Sequence, residues 1–138
     1  MKKIIASAAF LLAFSAQAYA GDTNVSLSIE GKDYEGVIYD NKAAAELLAR
    51  LPLTLTLNRG GRDFCGDMDP LGYDEKQVQN GYRNGMLAYW TPGQDFVIFL
   101  EKEESGASVN GVVPLGEIKG YQPLLRLSGS IHVRISRR

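Results

Sequence analysis

The residues able to do chemistry in this chain fall mainly between Asn58 and Leu100. Cys65 is the single cysteine and His132 the single histidine, far apart in sequence. A thiol nucleophile needs a base beside it, so Cys65 is expected to be a free, partly buried thiol. A serine triad would have to use His132, and no Gly-x-Ser-x-Gly elbow exists. Zinc needs clustered Cys and His, which one of each cannot supply. Asp67-Met-Asp-Pro-Leu-Gly72 has acids at positions 1 and 3 and glycine at 6, as a calcium loop does. Leu71 at position 5 and Val78 at position 12 leave two ligands missing, so this is a solvated acidic turn. No loop that cradles phosphate opens a helix. The sequence therefore predicts no catalytic residue, no metal and no cofactor. What remains is binding chemistry: aromatics (Phe64, Tyr73, Tyr82, Tyr89, Trp90) near Arg62, Asp63 and Arg83. An apolar floor with a few polar groups suits a small molecule or extended peptide. The expected ligand-binding residues are Arg62, Phe64, Tyr82, Arg83 and Trp90. Tyr89 and Trp90 are neighbours on one strand and face opposite ways, so at least one belongs to the core.

The elements that must position these residues are largely strands. Leu87–Leu100 gives two strands around Thr91-Pro-Gly-Gln94, with Pro92 setting the first corner and Gly93 expected to supply a positive φ. Phe96–Leu100 has no polar residue, which implies cover on both faces. Val25–Ile29 and Tyr34–Tyr39 form a hairpin, and Asp40 or Asn41 caps a short helix carrying Ala44, Leu47, Leu48 and Leu51 on one stripe. Pro52 ends that helix. Leu53, Leu55 and Leu57 then alternate with Thr54 and Thr56, a firmly registered strand. Val112–Ile118 is interrupted by Pro114, as an edge strand or a bulge would be. Gln122–Leu127 suits a turn of helix, and Ile131, Val133 and Ile135 alternate with His132 and Arg134 in a last strand. Asn58–Gly85 has six glycines, many charges and no sustained period. It is expected to be mobile and ligand-responsive, with a helical turn near Asp74–Gln79.

Lys2, Lys3, the apolar run Ile4–Phe14 and Ala18-Tyr-Ala20 have the pattern of a secretory signal peptide. Its removal would leave residues 21–138, one domain, and change the formal net charge from −1 to −3. An acidic chain gives no electrostatic reason to bind nucleic acid or an anionic membrane. Arg134, Arg137 and Arg138 form a local basic cluster, expected to be a solvated tail. With one cysteine there is no internal disulfide, so stability rests on the core. The expected address is periplasmic or secreted, as a monomer or weak homo-oligomer.

Four segments in order are Asn41–Leu57, Leu-Ala-Tyr-Trp-Thr-Pro-Gly-Gln94, Val-Val-Pro-Leu-Gly-Glu-Ile118 and Leu127-Ser-Gly-Ser130. Together they resemble the bacterial cyclophilin-like fold family, small proteins of unassigned biochemical role, over nearly all of Val25–Ile135. The resemblance implies a mainly β fold, a closed antiparallel barrel of about eight strands with one or two short helices over its openings. Cyclophilins catalyse prolyl isomerisation with an arginine in a Phe-His-Arg segment beside an apolar pocket. No Phe-His-Arg occurs here, and Gly60-Gly-Arg-Asp-Phe64 echoes the cyclophilin Gly-Gly-Asp-Phe only with an arginine inserted. No catalytic residue carries over. The residues favour a noncatalytic binding module; the alternative is a feeble prolyl isomerase or an unassigned hydrolase.

Overall fold

The computed structural model describes residues 21–138. The signal segment expected at 1–20 lies outside the described residues. Eight strands are present among the described residues: β1 (Thr23–Ile29), β2 (Lys32–Ile38), β3 (Leu53–Arg59), β4 (Asp63–Asp67), β5 (Met86–Trp90), β6 (Asp95–Phe99), β7 (Val112–Ile118) and β8 (Ser130–Arg137). They close into a barrel in the order β1-β2-β7-β5-β6-β4-β3-β8, and every pairing is antiparallel. The helix α1 (Lys42–Ala49) lies against β7.

Local chemistry explains the corners. Glu30 and Gly31 both take positive φ (48° and 82°), giving β1 and β2 a two-residue hairpin whose twist matches its strands. Asn41 Oδ1 accepts from the Ala44 N–H at 2.9 Å and caps α1. Its Nδ2 donates to the Pro114 carbonyl at 2.9 Å, tying the helix start to β7. Pro114 lies at a register shift: Leu87 pairs with Gly116 but Ala88 with Pro114. The proline therefore marks a bulge, and the closed barrel offers it no edge to occupy.

The barrel interior is filled from every strand. Leu55 and Leu57 face inward opposite Val133 and Ile131, with Val25, Leu27, Leu87, Tyr89, Phe96 and Ile98 around them. Alternation places Tyr89 inside and its neighbour Trp90 outside. The strand β4 was hidden in the glycine-rich sequence between Asn58 and Gly85. That segment is also better anchored than its composition suggests, since Phe64, Met68, Leu71 and Tyr82 are all buried. Only its helical turn, Glu75–Gln77, follows the sequence expectation closely.

Two expectations need correction here. The left-handed residue of the β5–β6 turn is Gln94 (φ 57°), and Gly93 is not among the residues with positive φ. Gly93 is required for another reason: a Cβ there would lie 2.9 Å from the Trp90 indole. The second concerns Phe64, proposed above as a ligand contact. It is 0% exposed and belongs to the barrel core, because β4 turns alternate residues inward and Phe64 is its one large apolar side chain.

Candidate functional site

The outward faces of β4, β6, β5 and β7 carry a second hydrophobic cluster, separate from the interior. Val97 and Phe99 of β6, Ala88 of β5, Val112 of β7 and Tyr82 form its centre, with Cys65, Met86, Trp90 and Val109 packed against it. The apolar run Phe96–Leu100 thus feeds two cores: Phe96 and Ile98 point into the barrel, Val97 and Phe99 away from it. The connections 68–85 and 100–111 supply the outer cover.

Tyr82 fastens this cover. Its ring stacks on Phe99 at 3.9 Å between centroids and 9° between planes. Its hydroxyl donates toward the carbonyls of Glu101 (2.8 Å) and Lys102 (3.0 Å). The same hydroxyl accepts from Arg62 Nη1 at 2.9 Å. Asn84 and Glu103 exchange two hydrogen bonds, and the Gly81 N–H donates to the Val109 carbonyl at 2.8 Å. Trp90 Nε1 donates to the Asn110 carbonyl at 2.8 Å, fixing the indole beside Val109. These bonds hold the 100–111 connection along its length.

A cavity of about 250 Å³ remains between that connection and the sheet. Val97, Phe99 and Cys65 form its floor, Trp90 and Val109 its walls, and Arg62 and Asp63 its polar rim. Its surface is mainly apolar. A larger concavity of about 580 Å³ lies beyond Cys65, open and more polar, lined by Thr54, Thr56, Asn58, Asp67 and Asp95 among others. The smaller cleft has the chemistry of a binding pocket: convergent polar groups over apolar walls.

Of the residues expected from sequence, the structure brings Arg62, Tyr82 and Trp90 together here. Tyr82 acts from beneath, as support for Arg62 and Phe99. Arg83 stands elsewhere, in a small concavity with Tyr39, Asn84 and Glu117. Gly81 and Gly85, both left-handed (φ 87° and 90°), bracket a short excursion in which Tyr82 turns in and Arg83 does not. Asp63, named from the sequence beside the expected cleft, lines it too; the lining residues that sequence reasoning did not single out are Val97, Phe99 and Val109. For Val97 and Phe99 the signal existed in the wholly apolar run on β6.

Electrostatics disfavour a nucleophile. Burial, then the charges of Asp63, Asp95 and Asp67, push the Cys65 thiol up to about 11. At neutral pH it is protonated and inert. His132 is on β8, two strands removed from β4. Burial also raises the Asp63 carboxyl, opposed by the charges of Arg59 and Arg62. Among the described residues no three His, Cys, Asp or Glu side chains group as a metal site.

Residues 27–136 match the Cyclophilin-like family. The chain belongs to that family. The solution structure of a hypothetical protein from Archaeoglobus fulgidus shares its fold, with a TM-score of 0.68 and 19% sequence identity. The alignment covers 86% of the cyclophilin-like chain and 96% of the archaeal one. At that identity the likeness concerns the fold alone. No curated protein matches the chain. Cyclophilin-like membership accounts for the closed barrel.

Proposed function

We propose that this cyclophilin-like chain is an exported, noncatalytic binding module that holds a small molecule, or one side chain of an extended peptide, in the cleft between Trp90 and Val109. The observation that carries this reading is the apolar cavity of about 250 Å³ on the outer face of β4 and β6, with a charged rim. A buried aliphatic or aromatic group there leaves water for van der Waals contact with Val97 and Phe99, and each Å² of apolar surface contributes about 25 cal/mol. The thiol held up at about 11, and the absence of a Phe-His-Arg segment, speak for binding over catalysis. The module works as a monomer or weak homo-oligomer in the cell envelope, without nucleic acid or membrane as partner.

The test is a screen of apolar fragments by amide chemical shifts. Shifts confined to Val97, Phe99, Val109 and the Trp90 indole N–H support the reading. Fragments that perturb only the wider concavity around Thr54 and Asp95 would place the site elsewhere. A protease-coupled isomerase assay belongs beside it, and a rate that rises with protein concentration would favour an enzyme.

A further inference from the structure

The rim of the cleft holds one charge of each sign, and neither is closed into a salt bridge among the described residues. Arg62 has no carboxylate within salt-bridge distance among the described residues. The guanidinium donates instead to the Tyr82 hydroxyl, a neutral partner. That bond orients the guanidinium and leaves it free to take a bridging carboxylate. Asp63 likewise has no cation within salt-bridge distance among the described residues, because the adjacent Arg59 is taken by Glu101. Arg62 ends the β3–β4 turn and Asp63 begins β4, so the alternation that separates neighbours on a strand does not keep these two apart. Both line the apolar cleft.

Resting on the reading of this cleft as a binding site, we propose that its ligand is a free α-amino acid with a large apolar or aromatic side chain. The carboxylate meets Arg62, the ammonium meets Asp63, and the side chain lies between Trp90 and Val109 on Val97 and Phe99. A neutral apolar molecule would leave both rim charges unpaired. A residue within a peptide chain carries neither charge, and a peptide terminus carries one. The cavity of about 250 Å³ suits the size, since pockets for drug-sized ligands run from roughly 300 Å³ upward.

Trp90 is the chain's one tryptophan and forms a wall of the cleft, so its fluorescence reports occupancy directly. The whole exported chain is titrated with L-phenylalanine, 2-phenylethylamine, 3-phenylpropionate and toluene, with amide shifts at Val97 and Val109 as a second readout. L-phenylalanine is expected to bind about tenfold or more tighter than either singly charged analogue, as loss of one charge-assisted hydrogen bond implies. Arg62→Gln should erase its advantage over 2-phenylethylamine, and Asp63→Asn its advantage over 3-phenylpropionate. If toluene or a singly charged analogue binds as tightly as L-phenylalanine, the zwitterion assignment fails while the cleft stands as a binding site. If N-acetyl-phenylalanine amide binds best, the occupant is a peptide side chain and the assignment again fails. If none of these probes moves either readout, the cleft reading falls with it.

Discussion

Replacing Phe64 by alanine removes a whole ring from the barrel interior and leaves the backbone of β4 in place. The ring is 0% exposed and packed in the interior cluster. The strand is pinned on both sides: Arg59 pairs with Phe64 across β3, and Ile98 pairs with it across β6. A closed barrel cannot draw its wall inward to fill one vacancy without straining neighbouring ladders. The loss should therefore be that of a buried phenylalanine whose site relaxes little, about 3–5 kcal/mol. That is a large share of the roughly 5–15 kcal/mol by which domains are stable. At about 4 °C per kcal/mol for a domain of this size, the melting temperature should drop by roughly 12–20 °C. Urea unfolding followed by Trp90 fluorescence, with thermal melts alongside, measures both. Arg62→Ala is the control, losing a hydrogen bond to Tyr82 at a cost of about 1 kcal/mol. A Phe64→Ala protein no less stable than Arg62→Ala, with an unchanged denaturant slope, would refute the placement of the ring inside the barrel.

Asp67 and Asp95 stand opposite each other across β4 and β6, and the Asp95 carboxyl is raised by burial, then by the hydrogen bond and charge of Asp67. A carboxyl raised on folding subtracts stability as pH rises through its folded value, so Asp95→Asn should stabilise at neutral pH. The gain should be roughly 0.2–1 kcal/mol, toward the low end where water screens the pair. It should vanish below the ordinary carboxylate value of 3.8, which urea melts at neutral and acidic pH would show. With its thiol pushed up to about 11, Cys65 should react sluggishly with a disulfide reagent at neutral pH in the folded protein, and at the ordinary rate in urea. Equal rates in both states would contradict its partly buried setting. Protein recovered from the periplasm should have the mass of residues 21–138; a chain retaining Lys2 would show that the leader is not cleaved.

The strands legible in the sequence were those with several apolar residues in alternation, such as Leu53–Leu57 and Ile131–Ile135. The strand β4 was not, because Asp-Phe-Cys-Gly-Asp puts one large apolar side chain into the barrel and a glycine at the next inward position. A Cβ on Gly66 would lie 2.2 Å from the Thr56 carbonyl, so β3 and β4 approach too closely there for any side chain. Pattern reading sees such a glycine as a break, whereas packing uses it as a contact. The candidate site was partly legible. Trp90 and Tyr89 could be told apart as one in and one out, and the apolar β6 called for cover on both faces. Which connection supplies that cover depends on long-range bonds, such as Trp90 to Asn110 and Tyr82 to Glu101, that no local pattern encodes. For the same reason proximity in sequence misled for Arg83, which the left-handed glycines around it turn toward Glu117.

The seam between β1 and β8 has a consequence for engineering. Val25 pairs with Arg137, so the first strand begins where the last one ends. Topologically the barrel is a ring with an incidental starting point. A short flexible joint from Arg138 to Gly21 would complete the loop, and new ends could be cut at Lys119-Gly120, where both residues are exposed and nothing lies near a Cβ built on Gly120. Such a circular permutant would keep all eight ladders and the cleft beside Trp90. It would also move the free ends to the end of β7, across β2 from the present ones, where a fused reporter or an immobilising tag could be attached.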